Sequence, residues 1–439
     1  MTRDTLGWID IIRLGLVQAS LGGIVVLTTS TLNRVMVVEL ALPAMLPGAL
    51  VGLHYAVQLS RPRWGHGSDM GGARTPWIIG GMAVLALGGV LAALATAWAA
   101  SATIAGVTLA IIAFILIGGG VGAAGTSLLA LLATDVAPKR RAPAASITWI
   151  MMIAGFAVTA GVAGQFLDPF TLMRLVGVTA GVCGAAFLLS VVAVWGVERP
   201  ARPAAPVTEP RPTGQTSFAA AMKEVWAEPK ARRFTVFVFV SMLAYSAQDL
   251  ILEPFGGLVF GLTPGESTQL AGVQNGGVLL GMIAVAILGG RGFGRRQTWV
   301  VGGCAASSLA LIGLAGASIA GPGWPLAPTI FVLGVANGGF AVAAIGAMMG
   351  LAGADGEGRE GVRVGLWGAS QAIAFGVGGF LGAAAIDVTR AIFADAAPAF
   401  ALVFAAEALL FLFAARLALR VEQADTDTRQ EGQLAREAS

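Results

Sequence analysis

TIAGVTLAIIAFILIGGGVGAAGTSLLAL, residues 103–131, runs for 29 residues without a charge. A helix needs about 20 apolar residues to cross a hydrocarbon layer, so this stretch is long enough with turns to spare. Inside it, Gly120-Val121-Gly122-Ala123-Ala124-Gly125 spells G-x-G-x-x-G. A dinucleotide site needs that pattern between a strand and a helix start. In the middle of an apolar run it reads instead as small residues that let helices approach, as do Gly118 and Gly122, four apart. Gly48 and Gly52, Gly177 and Gly181, Gly334 and Gly338, and Gly378 and Gly382 repeat the spacing.

Eleven more runs resemble it, near 10–32, 42–60, 77–99, 143–165, 172–197, 233–253, 268–290, 298–318, 327–350, 364–386 and 398–417. The whole chain of 439 residues is 56% hydrophobic and 12% charged, with 62 glycines and a mean hydropathy of +0.80. Soluble domains carry about a quarter charged residues, so a soluble enzyme is excluded, and disorder needs far less apolar content. The expectation is an all-α polytopic membrane protein with twelve transmembrane helices. The first run is too long for a cleavable signal and is interrupted by Arg13. Cys183 and Cys304 each stand alone, and His54 and His66 are the two histidines. Neither set has the spacing of a disulfide framework or a metal site, so no metal and no enzyme are expected.

The basic residues divide unevenly. With twelve crossings, 24 of the 27 Lys and Arg fall on one side, and only Arg34, Arg174 and Arg390 on the other. The positive-inside rule makes the rich side cytoplasmic and places both termini there. Residues 198–232 break the pattern with Pro200, Pro203, Pro206, Pro210 and Pro212, an extended linker. Phe218, Ala221, Met222, Val225 and Trp226 follow at helical spacing beside Lys223 and Lys230, as in an amphipathic helix on the inner leaflet. The domains expected are residues 1–197 and 233–420 as two six-helix halves, 198–232 as a cytoplasmic linker and 421–439 as a cytoplasmic tail. The loops Gly65–Arg74 and Gly290–Arg296 occupy matching positions, and such a 6+6 pseudo-repeat is major-facilitator-like. Gly65, Asp69, Gly72 and Arg74 resemble that superfamily's signature loop, though Met70 and Ala73 replace basic positions. They are read as a conformational latch between helices, with an ordinary charged turn as the alternative.

Four ionisable side chains within apolar runs are candidate site residues. Asp249 and Glu253 share a helix face, about 22 Å from the start of the seventh run. They fit a proton relay, a polar docking surface or a pair wetted by lipid headgroups. Glu407 sits near the centre of the last run, where acids are costly and mark function by default. It is read either as a hydrogen-bonded acid between helices or as a contact for a partner arriving sideways through lipid. His54 lies about 10 Å inside one edge of the second run, as a hydrogen-bonding imidazole or a magnesium ligand to a chlorin ring. The expected cavity helices offer Gln18, Ser20, Thr126, Ser127, Ser241, Tyr245, Ser246 and Asn337 but no central cation for an anionic substrate.

Asp249-Leu-Ile-Leu-Glu-Pro-Phe-Gly-Gly257 closely resembles the seventh-helix motif of the PucC/LhaA family, also called the bacteriochlorophyll delivery family. Gly52-Leu53-His54-Tyr55 with Gln58, Arg61 and Pro62, the loop Trp64–Asp69, and Thr134-Asp135 with Pro138 and Arg141 resemble its second helix and later loops. The resemblance implies a twelve-helix facilitator relative in the inner or intracytoplasmic membrane of a phototrophic bacterium. It further implies an assembly factor for light-harvesting antenna complexes that handles bacteriochlorophyll as a transient ligand. The partners implied are antenna polypeptides, bacteriochlorophyll, the lipid membrane and pigment-synthesis enzymes, with no nucleic acid. The alternative reading is a proton-coupled secondary transporter of a small, largely apolar compound. Asp249, Glu253, Glu407 and His54 are the candidate pigment- or partner-binding residues.

Overall fold

No water is at hand for a peptide group in hydrocarbon, so each apolar run has to close its own hydrogen bonds, and a helix does this within one segment. The computed structural model describes residues 5–61, 73–198, 226–352, 360–393 and 395–437, and is helical in this way throughout. Its long helices are α1 (Trp8–Glu39), α2 (Met45–Gln58), α3 (Thr75–Ala99), α4 (Thr103–Asp135), α5 (Arg141–Leu167) and α6 (Leu172–Val194). They continue as α7 (Pro229–Phe260), α8 (Pro264–Gly290), α9 (Arg296–Ala320), α10 (Leu326–Ala352), α11 (Glu360–Phe393) and α12 (Ala396–Glu437). Eleven of these are long and apolar enough to cross a membrane. The exception is α2, whose 14 residues reach about 21 Å. Apolar side chains such as Ile104, Phe166 and Leu309 point outward, as a lipid-facing surface requires.

Buried side chains gather in two large clusters. One extends from Leu6 to Val197 and takes in Leu250, and the other extends from Phe234 to Ala418. Helix ends follow local chemistry. Thr263 and Glu266 form a capping box at the start of α8, with Pro264 in the first turn. Gly261 closes α7 with φ of 68°, a left-handed conformation that glycine adopts without penalty.

Two helix boundaries differ from the hydropathy reading. The first helix does not stop near residue 32 but continues through Arg34 to Glu39. Arg34 therefore lies within a helix at 2% exposure rather than in a loop. The seventh helix does not end near residue 253 but passes through Pro254 to Phe260. Tertiary partners described below account for both. The proline-rich linker and most of the amphipathic segment, residues 199–225, lie outside the described residues.

The small-residue spacing brings helices together at several of these pairs, but not at Gly177 and Gly181 of α6, where a Cβ would meet nothing. A Cβ on Gly338 of α10 would strike the backbone of Val278 on α8, and one on Gly281 of α8 would strike the backbone of Val335. Neither backbone has anywhere to move. We expect Gly338→Val to destabilise by about 1–3 kcal/mol or more through overpacking, read as lost monodisperse protein on size exclusion. Gly276→Ala, where a Cβ meets nothing, serves as the neutral control. Equal yields for the two variants would overturn the close-packing account.

Candidate functional site: a seam between α1 and α7

Proline has no N–H, so the carbonyl four residues before it in a helix loses its partner. In α7 the proline is Pro254 and the carbonyl is that of Leu250. Asn33 of α1 supplies the missing donor, its Nδ2 lying 2.5 Å from the Leu250 oxygen. One turn on, Glu253 Oε1 accepts from Ser30 Oγ at 2.6 Å, and Oε2 accepts from Thr268 Oγ1 at 3.4 Å. The Thr31 and Thr268 hydroxyls pair at 3.1 Å. Arg34 donates Nη2 to the Leu262 carbonyl at 2.6 Å and pairs with Glu39. Gly257 leaves room for it: a Cβ there would stand 3.0 Å from both Arg34 Nη2 and Val38.

Residues 250–257 are thus matched by Ser30, Asn33, Arg34 and Val38, which share one face of α1 by helical spacing. Within the seam α1 widens into two π-helical turns, Leu27–Thr31, which holds Ser30, and Val35–Glu39, which holds Val38; such turns occur often at functional sites. Further polar contacts join the two clusters at this same end. The backbone N–H groups of Ala44 and Met45 donate to Asp387 at 2.9 and 2.7 Å, so a carboxylate of α11 caps α2. Thr263 Oγ1 donates to Asp168 Oδ2 at 2.8 Å. The end of the molecule formed by the C-termini of α1, α5, α7 and α11 is therefore laced shut.

Behind the seam, Ser30, Glu253, Ser267 and Gln274 line a small pocket, roomy enough for about one water, with Leu252, Leu270, Ala271 and Ile330. Asp249 is half-buried and accepts from Gln274 Nε2 at 3.1 Å. Asp249 and Glu253 thus take separate partners, and Gln274 and Glu253 meet at one pocket wall. The chain's two tyrosines, Tyr55 of α2 and Tyr245 of α7, flank Phe375 of α11 at ring distances of 5.5 and 5.8 Å.

The other expected site residues lie elsewhere. His54 is 1% exposed, with Nε2 2.8 Å from Gln58 Nε2. Arg61 can only donate, and it takes Gln58 Oε1, so the Gln58 amide donates to His54 Nε2 and the ring hydrogen sits on Nδ1. Nε2 is thus taken by Gln58, while Nδ1 is buried without a partner among the described residues. Glu407 is 3% exposed and shares its helix face with Phe400, Phe404 and Phe411, each fully buried. The lipid side of α12 carries Leu402, Leu409 and Phe413 instead. Glu407 therefore faces inward, among these phenylalanines. Of the expected latch, Gly65, Asp69 and Gly72 lie outside the described residues. Arg74 ties the start of α3 to α4, donating to the Ala130 carbonyl at 2.5 Å and to Thr134 Oγ1 at 2.6 Å. Glu198 accepts from the backbone N–H groups of Arg74 and Thr75, at 2.6 Å each.

The residues missed from sequence are Ser30, Asn33, Arg34, Asp168 and Asp387. Two signals pointed at them. Pro254 announces a carbonyl in need of a donor, and Pro43-Ala44-Met45 starts a helix with no capping side chain.

Comparison with known proteins adds to this geometry. The family described as PUCC protein matches residues 31–426. The chain is 56% identical over 418 residues to the protein named bacteriochlorophyll synthase 44.5 kDa chain from Rhodobacter capsulatus, covering 95% of this chain and 96% of that one. It is 32% identical over 395 residues to Protein PucC of Cereibacter sphaeroides, covering 85% and 82%. Among solved structures, an inward-facing, unoccupied bacterial homologue of the human lysosomal transporter Spinster superposes with a TM-score of 0.70 at 16% identity, covering 94% and 96%. A peptide transporter, POT, in complex with sulfate gives 0.67 at 15% identity, covering 94% of each chain. These structural likenesses establish the fold alone: an all-α polytopic membrane protein of major-facilitator-like architecture.

Proposed function

The chain belongs to the PUCC protein family, and from that premise we propose that it is an assembly factor for bacterial light-harvesting complexes. It holds or delivers bacteriochlorophyll, antenna polypeptides or both within the membrane. The observation that carries this reading is the near full-length match to a relative whose name contains bacteriochlorophyll. The geometry is compatible with it: Tyr55, Phe375 and Tyr245 pack ring to ring, and Asp249 is half-buried. Flat apolar rings suit such aromatic faces. Pigment-synthesis enzymes are further partners in this reading, again supported by the printed name of that relative.

The arrangement in the membrane belongs to the same proposal. All twelve helices cross, α2 spanning with the rest of the apolar run 42–60, and residues 1–197 and 233–420 form two six-helix halves. Both termini, the 198–232 linker and the 421–439 tail face the cytoplasm of a bacterial inner membrane. The laced end is then the outer end. The loop containing Gly65, Asp69, Gly72 and Arg74 works as a latch at the inner end.

A second reading has a specific observation behind it. Asp249 and Glu253 sit at a seam between helices in a transporter-like fold, as the acids of a proton-coupled transporter of an apolar compound would. Colour separates the two. The protein purified in mild detergent from a phototrophic host is expected to carry bacteriochlorophyll absorbance or to bring antenna polypeptides with it. A colourless preparation without antenna polypeptides, showing proton-dependent uptake of a soluble compound in vesicles, would overturn the assembly reading.

A further inference from the structure

The core of the second cluster holds a polar group that neither function above uses. Gln248 and Asn337 are 0% exposed and Glu407 is 3% exposed. Five of their side-chain atoms have no partner among the described residues: Gln248 Nε2 and Oε1, Asn337 Nδ2, and both oxygens of Glu407. Buried polar atoms are almost always bonded, so each such atom needs an explanation.

Hydrogen bonds from α9 bring Asn337 and the Glu407 turn together, and ring contacts place Gln248 in the same core. Phe340 of α10 packs on Phe411 of α12 with centroids 6.2 Å apart. One turn before each of these lies Asn337 and Glu407 respectively. On α7, Phe237 contacts Phe340 at 6.2 Å and Phe255 contacts Phe404 at 5.0 Å. Gln248 lies between those two phenylalanines on the same helix face. Two neighbouring hydroxyls of α9 fix the register. Ser307 Oγ donates to Asn337 Oδ1 at 2.8 Å, and Ser308 Oγ donates to the carbonyl of Ala408, next to Glu407, at 2.9 Å.

We propose that Glu407, Gln248 and Asn337 form an internal hydration site between α7, α10 and α12, with water as its ligand. Enclosure restricts the occupant to a water or a bare cation. A cation satisfies oxygens only and leaves the Gln248 and Asn337 amide hydrogens without acceptors. Water donates and accepts, and makes about three hydrogen bonds. Five unpartnered atoms therefore correspond to about one or two waters. This site is separate from the seam and does not rest on the pigment reading.

The test is X-ray radiolytic footprinting of the full chain in lipid nanodiscs, where radicals born from bound water label adjacent side chains. Phe404 and Phe411, 0% exposed, are expected to label several-fold faster than Phe114, which is equally buried in the apolar first cluster. In the Gln248→Leu/Glu407→Leu double variant their rate should fall to that of Phe114. Glu407→Gln retains a donor and an acceptor and should keep the labelling. Wild-type Phe404 and Phe411 labelling no faster than Phe114 would overturn the site, as would unchanged labelling in the double leucine variant. Labelling that appears only when sodium replaces choline would assign the site to a cation and equally overturn it.

Discussion

Asn33→Leu is expected to loosen the laced end by about ten- to a hundredfold in its opening equilibrium. The Leu250 carbonyl lies in a dry seam and, with Pro254 four residues on, has the Asn33 amide as its donor. Leaving a buried acceptor unpaired costs about 1–3 kcal/mol, and each 1.4 kcal/mol is about tenfold. The readout is modification of an Ala271→Cys reporter, in the pocket behind the seam, by a membrane-impermeant maleimide. The native Cys183 and Cys304 are buried and give little background. Pro254→Ala restores an N–H to the Leu250 carbonyl. In that background Asn33→Leu should lose most of its effect, because residues sharing one interaction are not additive. Reporter rates equal to the parent, or fully additive changes in the double variant, would show that this hydrogen bond does not hold the end closed.

Arg34→Met should lower stability by about 1.5–3 kcal/mol, the range for hydrogen bonds to charged groups. The guanidinium is 2% exposed and holds both the Leu262 carbonyl and Glu39. Removing it strips the donor from a carbonyl at the α7–α8 corner and leaves Glu39 unpaired there. Glu39 is 34% exposed, so water recovers part of its loss, and the larger figure for fully buried pairs does not apply. Arg34→Lys keeps the charge as a point rather than a fork and should fall between the two. Thermal unfolding followed by tryptophan fluorescence in detergent measures this. A melting temperature for Arg34→Met equal to the parent would mean that the buried pair is energetically idle.

The two buried acids on which a function is most readily hung now have different standing. Glu253 is bonded across the seam to Ser30 and Thr268, so its substitution bears on closure as well as on any ligand. Glu407 is internal, and its loss bears on the second cluster's core. A change in antenna assembly caused by either substitution therefore has to be read beside a measure of folding and closure.

The apolar runs alone determined that the chain is a helical membrane protein. Hydropathy is a sum over neighbours in sequence, and an apolar run of that length has one stable state in lipid. For the same reason Asp249-Leu-Ile-Leu-Glu-Pro-Phe-Gly-Gly257 stood out, since two acids and a proline in an apolar run break that local sum. What those residues bond to was not legible. Asn33 meets Leu250 across 217 residues, Ser30 meets Glu253 across 223, and Asp387 caps α2 across more than 340. The proline stated that a donor was owed, but only packing chose Asn33. Arg34 read as the end of a helix because a charge in lipid is unfavourable alone; Glu39 and the Leu262 carbonyl made it tolerable inside one. The orientation of Glu407 was recoverable in part, since Phe400, Phe404 and Phe411 share its face. Which face of α12 meets protein rather than lipid is nonetheless decided by α7, α9 and α10, because lipid and a protein core are equally apolar and no local pattern separates them.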